Sequence, residues 1–215
     1  MVGGMVSSDP ALVHPAVQAR SRARIERIIE AGLTLLQTHR LNEITMEMIA
    51  SRADCSVGTL YRRFANKEAL LIVLADAVRQ DVLRQIEAGQ LPAAQAEDSL
   101  LDVLCQLTEF LASLARSYEG LLRAMQLRRL TRPAGERPLR DAGQAVLAAS
   151  TERLKERRPA HLAEAEFARR LGISYQVLTS TLLNMVVNQP GPLDLHADDA
   201  PLELARVMHA YLVAE

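Results

Sequence analysis

The sequence has no tryptophan, only three phenylalanines and four tyrosines, so aromatic residues make up just 3% of its 215 positions. A large β-sandwich draws heavily on aromatic and β-branched residues, and this composition argues against one. The two cysteines, Cys55 and Cys105, stand far apart with no Cys-x-x-Cys pairing. They suggest neither a disulfide framework nor a zinc site and fit a reducing cytoplasm. Long apolar runs are also missing. The longest, residues 69–75, is seven residues, and residues 1–15 have neither a basic start nor an apolar centre. A membrane span and a signal peptide are therefore not expected. Charge of one sign is lacking too: 25 Lys and Arg against 26 Asp and Glu leave a net charge of -1. That balance excludes a uniformly basic nucleic-acid binder and an acidic tail, so any nucleic-acid site has to be local.

The residues that usually announce catalysis are scattered. His14, His39, His161, His196 and His209 form no pair that would set two metal ligands on one helix face. His196 lies near Asp194, Asp198 and Asp199, but an acidic loop of this kind reads as a solvated surface. No Gly-rich phosphate loop, Gly-x-Ser-x-Gly elbow or Ser-x-x-Lys constellation occurs. The sequence points to no enzyme, no metal and no cofactor.

What is abundant is helix-forming. Hydrophobic residues reach 49%, enough for a core, and the helix formers Ala, Leu, Arg, Glu and Gln dominate the composition. After an opening segment, residues 1–15, read as a mobile arm, Ile25, Ile28, Ile29, Leu33 and Leu36 recur at three- and four-residue steps. They define one amphipathic helix. Three start signals then follow in quick succession, with Thr45 before MEMIASRA, Ser56 before VGTLYRRF and Asn66 before KEALLIVLADAVRQDVLRQIEA. Each side chain can accept from the free amides of the next first turn. The first two helices are too short to stand alone and must pack on their neighbours, which describes a helix-turn-helix.

Gly89 and Pro92 break the long fourth helix. Beyond them Leu100, Leu104, Leu107, Leu111, Leu114 and Tyr118 carry a helical stripe, LLRAMQLRR a shorter helix, and residues 139–157 another. Pro159 suits the first turn of a further helix reaching Asn188, and PLELARVMHAYLVA closes the chain. In the penultimate helix Ile173, Val177, Leu183, Val186 and Val187 form a second apolar face. It and the closing helix either finish the monomer core or make a four-helix seam between two copies, through residues 160–188 and 201–214. The chain reads as all-α. Residues 16–66 form an N-terminal three-helix helix-turn-helix unit, fused through the long fourth helix to a C-terminal helical ligand-binding and dimerisation bundle, residues 67–215.

Between residues 15 and 68 there are nine Lys and Arg against six acids, so positive charge gathers where the short helices are. There the stretch IASRADCSVGTLYRRFANKEALL resembles the signature of TetR/AcrR-type bacterial transcriptional regulators, usually IA-x-x-A-G-V-S-x-G-T-L-Y-x-H/Y-F-x-x-K-x-x-L. Ser56, Gly58, Thr59, Leu60, Tyr61, Phe64 and Lys67 match at fixed spacing. The resemblance covers roughly residues 16–83, and beyond them rests on helical layout alone. It implies that Thr45 starts the motif's first helix and touches phosphate, that Ser56 opens the recognition helix, and that Val57, Thr59 and Arg62 face the major groove. Gly58 would allow close approach to the DNA, Tyr61 would send its hydroxyl to phosphate, and Lys67 would grip the backbone.

Three positions depart from the pattern. Asp54 replaces a Gly and tolerates the left-handed turn. Cys55 replaces a Val as a small buried thiol. Arg63 replaces a His or Tyr and can contact phosphate with more charge; Arg62 and Arg63 together could also be a solvated charge pair, but the surrounding motif favours DNA contact.

By this resemblance the partners are double-stranded operator DNA, a second copy of the chain and a small apolar or amphipathic effector, with repression as the outcome. The inward stripes of the second region are aliphatic, and Cys105, Thr108, Met125, Gln126, Tyr175 and Thr179 are its polar or adaptable candidates for effector contact. An all-helical small-molecule carrier or interaction module that no longer reads DNA is the alternative.

Overall fold

The computed structural model describes residues 15–91, 97–131, 137–188 and 191–214, with the side chains of 15–20, 129–131 and 137 left aside. All regular structure among these residues is helical. The expected arm falls almost wholly outside them.

The N-terminal unit is built from α1 (Pro15–Thr38), α2 (Met46–Arg52) and α3 (Val57–Tyr61), and it borrows the first turns of α4 (Lys67–Glu87). Each of the three expected caps is made. Thr45 Oγ1 accepts from the Met48 amide at 3.3 Å, Ser56 Oγ from the Thr59 amide at 3.2 Å and Asn66 Oδ1 from the Ala69 amide at 2.8 Å. Such caps are worth ~1 kcal/mol each, which matters most for α2 and α3 because neither has enough turns to hold itself. Burial does the rest. Ile28, Ile49, Leu60, Leu70 and Leu71 lie at the centre of the unit, all at most 2% exposed. Asp54, with φ of +50°, takes the left-handed turn between α2 and α3. Its neighbour Cys55 returns an amide to the Ala50 carbonyl at 3.0 Å, closing α2.

The second region comprises α5 (Leu100–Ser117), α6 (Glu119–Thr131), α7 (Arg137–Leu154, continued by a 3-10 turn, Lys155–Arg157), α8 (Glu164–Asn188) and α9 (Ala200–Val213). A capping box opens α5, with Ser99 and Asp102 exchanging hydrogen bonds at 3.2 and 2.9 Å. α5 lies chiefly along α9, and α4 along α7, so the long fourth helix belongs to both halves. The expectation that Pro159 begins the next helix is corrected. Its carbonyl instead accepts from the Leu162 amide at 3.0 Å in a turn that buries Leu162, and α8 starts only at Glu164.

The second apolar face of the penultimate helix divides in the structure. Val186 is buried, Val187 packs on the core and Leu183 borders an internal cavity, whereas Ile173 and Val177 stay exposed. On the edge of α9 that meets α8, Val207 and Tyr211 are also exposed. The two helices therefore leave an apolar surface that their own fold does not cover.

Candidate nucleic-acid interface and inner cavity

α3 presents its outer face through a short hydrogen-bond chain. Ser56 Oγ, which caps the helix, lies 2.9 Å from Thr59 Oγ1, and Arg62 Nη2 donates to that same Thr59 oxygen at 3.1 Å. Bonds in such a chain polarise and reinforce one another. Thr59 is only 9% exposed. Sequence reasoning set it against the major groove, but the structure makes it the support that fixes the Arg62 guanidinium. Tyr61 is 52% exposed and carries its hydroxyl away from the core, while Val57 packs partly on the core. A Cβ at Gly58 would meet only Ser56 Oγ, at 4.0 Å, so this side of the helix is open. Arg63 is exposed and donates to Ser21 Oγ of α1 at 2.6 Å. Thr45 is exposed at the start of α2 on its capping bond.

Lys67 is placed differently from the sequence expectation. Its ammonium donates to the Leu41 carbonyl at 2.6 Å and the Ile44 carbonyl at 2.8 Å, holding the α1–α2 connection to the first turn of α4. One of its three N–H groups remains for an outside partner. The link could not be read from the sequence because both acceptors are backbone atoms more than twenty positions away.

The second region encloses a cavity of about 670 Å³ between α4, the C-terminal half of α5, α6, α7 and α8. Of the six residues expected at an effector site, Met125, Gln126, Tyr175 and Thr179 line it. Cys105 and Thr108 do not. Thr108 is fully buried and donates to the Pro201 carbonyl of α9 at 2.7 Å, because the N-terminal half of α5 is covered by α9. Burial, with Asp102 nearby, pushes the Cys105 thiol up in pKa and keeps it protonated. Sequence reasoning did not select Arg140 and Gln144 on α7 or Gln176 on α8, which also border the cavity. No periodic signal separates them from ordinary surface residues.

Tyr118, just after α5, belongs to the wall of this cavity and also to a groove of about 580 Å³ between α1, α4 and the start of α6. Its hydroxyl donates to Asp81 Oδ2 of α4 at 2.7 Å. Burial opposes ionisation of Asp81, but hydrogen bonds from Tyr118, Gln85 and Arg84 outweigh it and hold the carboxyl below its usual range. Burial and the Asp81 carboxylate push the Tyr118 phenol upward, so it stays a donor. Among the described residues no group of three or more His, Cys, Asp or Glu could hold a metal ion, and no helix is long and apolar enough to cross a membrane.

Residues 28–74 match the sequence model for bacterial regulatory proteins of the tetR family. An uncharacterised HTH-type transcriptional regulator from the dhlA 5' region of Xanthobacter autotrophicus is 29% identical over 92 residues, 43% of this chain and 45% of that protein. The HTH-type transcriptional repressor KstR of Mycolicibacterium smegmatis is 41% identical over 51 residues, 24% of this chain and 25% of its own length. The chain thus spans less than half the length of these relatives. A solved structure from Mesorhizobium loti, assigned to the TetR family of transcriptional regulators, superposes with a TM-score of 0.65 at 19% identity, covering 90% of this chain and 96% of that one. At that identity the likeness is one of fold.

Proposed function

We propose, from the premise that residues 28–74 belong to the TetR family of bacterial regulatory proteins, that the chain is a ligand-responsive DNA-binding transcriptional regulator, acting in the cytoplasm as a repressor. The observation that carries this reading is the built outer face of α3, where Ser56 and Thr59 fix Arg62 beside the exposed Tyr61. A carrier that had no use for DNA would gain nothing from an exposed arginine held by a hydroxyl that is itself held by the helix cap. Arg62 reads a base edge, Thr59 positions it, and Tyr61, Arg63 and Thr45 contact phosphate. Lys67 acts mainly by holding the unit together.

Two copies meet through the exposed faces of α8 and α9. Such a seam buries Ile173, Val177, Val207 and Tyr211, and sets two recognition helices on a near-palindromic operator with half-sites ~34 to 36 Å apart. The cavity takes a small apolar or amphipathic effector. Its occupancy reaches α4 through Val78 and Val82 in the cavity wall and through the Tyr118 bond to Asp81, and releases the operator.

Fluorescence anisotropy on the DNA upstream of the protein's own gene, with excess competitor and across a salt series, tests the reading. Saturable binding that survives competitor is expected. Arg62→Ala should cost ~1 to 3 kcal/mol of specific binding and relax choice at one base position, with thermal unfolding unchanged. Binding that competitor abolishes, on this DNA and on sequences drawn from a random pool, would exclude an operator reader.

Lys67→Met separates the two roles open to that residue. It leaves the Leu41 and Ile44 carbonyls without their donor, a loss of ~1 to 3 kcal/mol of stability, and should lower the unfolding midpoint while the salt slope of DNA binding stays put. A slope reduced by ~1 with unchanged unfolding would instead make Lys67 a phosphate ligand.

A further inference from the structure

We infer that the ligand of the inner cavity is an amphiphile with an aliphatic body and an anionic head, the head lying at the cavity mouth against Arg140. This rests on the reading of the cavity as the effector site and names the chemistry that the site selects.

Three observations converge on it. The first is the state of the inner hydroxyls. Tyr175 donates to the Gly143 carbonyl at 2.9 Å, Tyr118 to Asp81 at 2.7 Å and Thr179 to the Tyr175 carbonyl at 2.9 Å. Each hydroxyl hydrogen already has its acceptor inside the protein, so an oxygen-rich ligand group carried inward would lose its water and meet no hydroxyl donor in return. What the interior offers is Val78, Val82, Leu111, Met125 and Leu182, all buried, and a flexible hydrocarbon fits walls of this kind.

The second observation is polarity that changes with depth. Arg140, Gln144 and Gln176 border the same cavity and are exposed. Arg140 and Gln144 stand one helical turn apart on α7, so their side chains share a face, and Gln176 follows Tyr175, whose hydroxyl reaches α7 at Gly143. A guanidinium and two amides therefore rim an apolar interior. That is the arrangement an amphiphile matches end for end.

The third is the sign of the charge. Among the described lining residues there is no aspartate or glutamate, and Arg140 is the one formal charge. Arg140 makes no ion pair among the described residues. A cationic ligand would give up water for a site with no carboxylate to receive it, while a carboxylate, phosphate or sulfate head gains a guanidinium suited to two parallel hydrogen bonds.

The test uses the purified full chain and three probes that share one tail, dodecanoate, dodecanol and dodecyltrimethylammonium, the two charged ones below their micelle concentrations and dodecanol below its solubility limit, titrated by calorimetry. Dodecanoate should bind roughly two- to fivefold tighter than dodecanol, and the ammonium weakest. Arg140→Gln, a change at an exposed position, should erase the preference for dodecanoate over dodecanol without weakening dodecanol. Leu182→Phe, which fills the interior, should weaken dodecanoate and dodecanol together.

Equal or tighter binding of dodecanol or of the ammonium, or a preference that survives Arg140→Gln, would overturn the anionic head and leave the effector site standing. Failure of all three probes to bind would overturn the effector site itself, and this inference with it.

Discussion

Gly120→Ala should lower the midpoint of thermal unfolding more than the same change at any other described glycine. Gly120 is the second residue of α6, and there the backbones of α6 and α1 touch. A Cβ built on it would lie 1.7 Å from the Leu36 carbonyl oxygen. No side chain can swing aside to relieve that overlap, because the obstacle is main chain. The helices must separate, at a cost of ~1 to 3 kcal/mol for overpacking of this kind, or about 2 to 4 °C per kcal/mol in a chain of this size.

The loss should reach the DNA side as well, since Tyr118 and its bond to Asp81 lie directly before α6. Gly172→Ala is the control. Nothing stands within 4 Å of a Cβ there, and the better helix propensity should add ~0.5 to 1 kcal/mol. Circular-dichroism melts of the two variants should move in opposite directions, and a Gly120→Ala melt that overlays the parent would mean that the α1–α6 contact is looser than described.

Val177→Asp is expected to act on assembly and leave the fold alone. Val177 is 52% exposed on α8, so a carboxylate costs the single chain little. Across a two-fold seam each aspartate would be buried against the apolar surface of the other copy. The parent should sediment as a dimer and the variant, at the same concentration, as a monomer. Operator affinity should fall by ~10²- to 10⁴-fold, the size of the loss when two linked heads become one. A variant that remains dimeric and binds the operator as before would move the seam away from α8.

The parts of this molecule that could be read from its sequence are those fixed by near neighbours. Thr45, Ser56 and Asn66 cap the helices they precede because a cap reaches only two or three residues forward. Asp54 holds the left-handed turn because its own side chain tolerates it. Readings that depended on distant partners came out differently. Lys67 carries a family signature, but its acceptors come from the connection between α1 and α2. Thr59 sits on the recognition helix, yet its exposure is set by how deeply α3 beds into the unit.

On α5 a broad apolar stripe gives no sign of which edge faces the cavity, and the docking of α9 decides it, against Cys105 and Thr108. Pro159 is compatible with a first helical turn and with a loop, and the burial of Leu162 selects the loop. The cavity has no sequence signature at all. It is the space that five helices fail to fill.

The bond from Lys67 to the Leu41 and Ile44 carbonyls turns α4 into a lever. The DNA-facing head cannot slide along the helix that carries it, so it must swing with it. At about 1.5 Å per residue the 21 residues of α4 make a rod of about 31 Å. A tilt of about 5° at the cavity end sweeps the other end through about 2.7 Å, and in the proposed dimer opposite swings would change the gap between heads by about 5 Å, roughly a sixth of a DNA turn. That stroke is longer than a hydrogen bond, so on the proposed operator both heads would lose register with the groove at once while every contact inside each head stays intact.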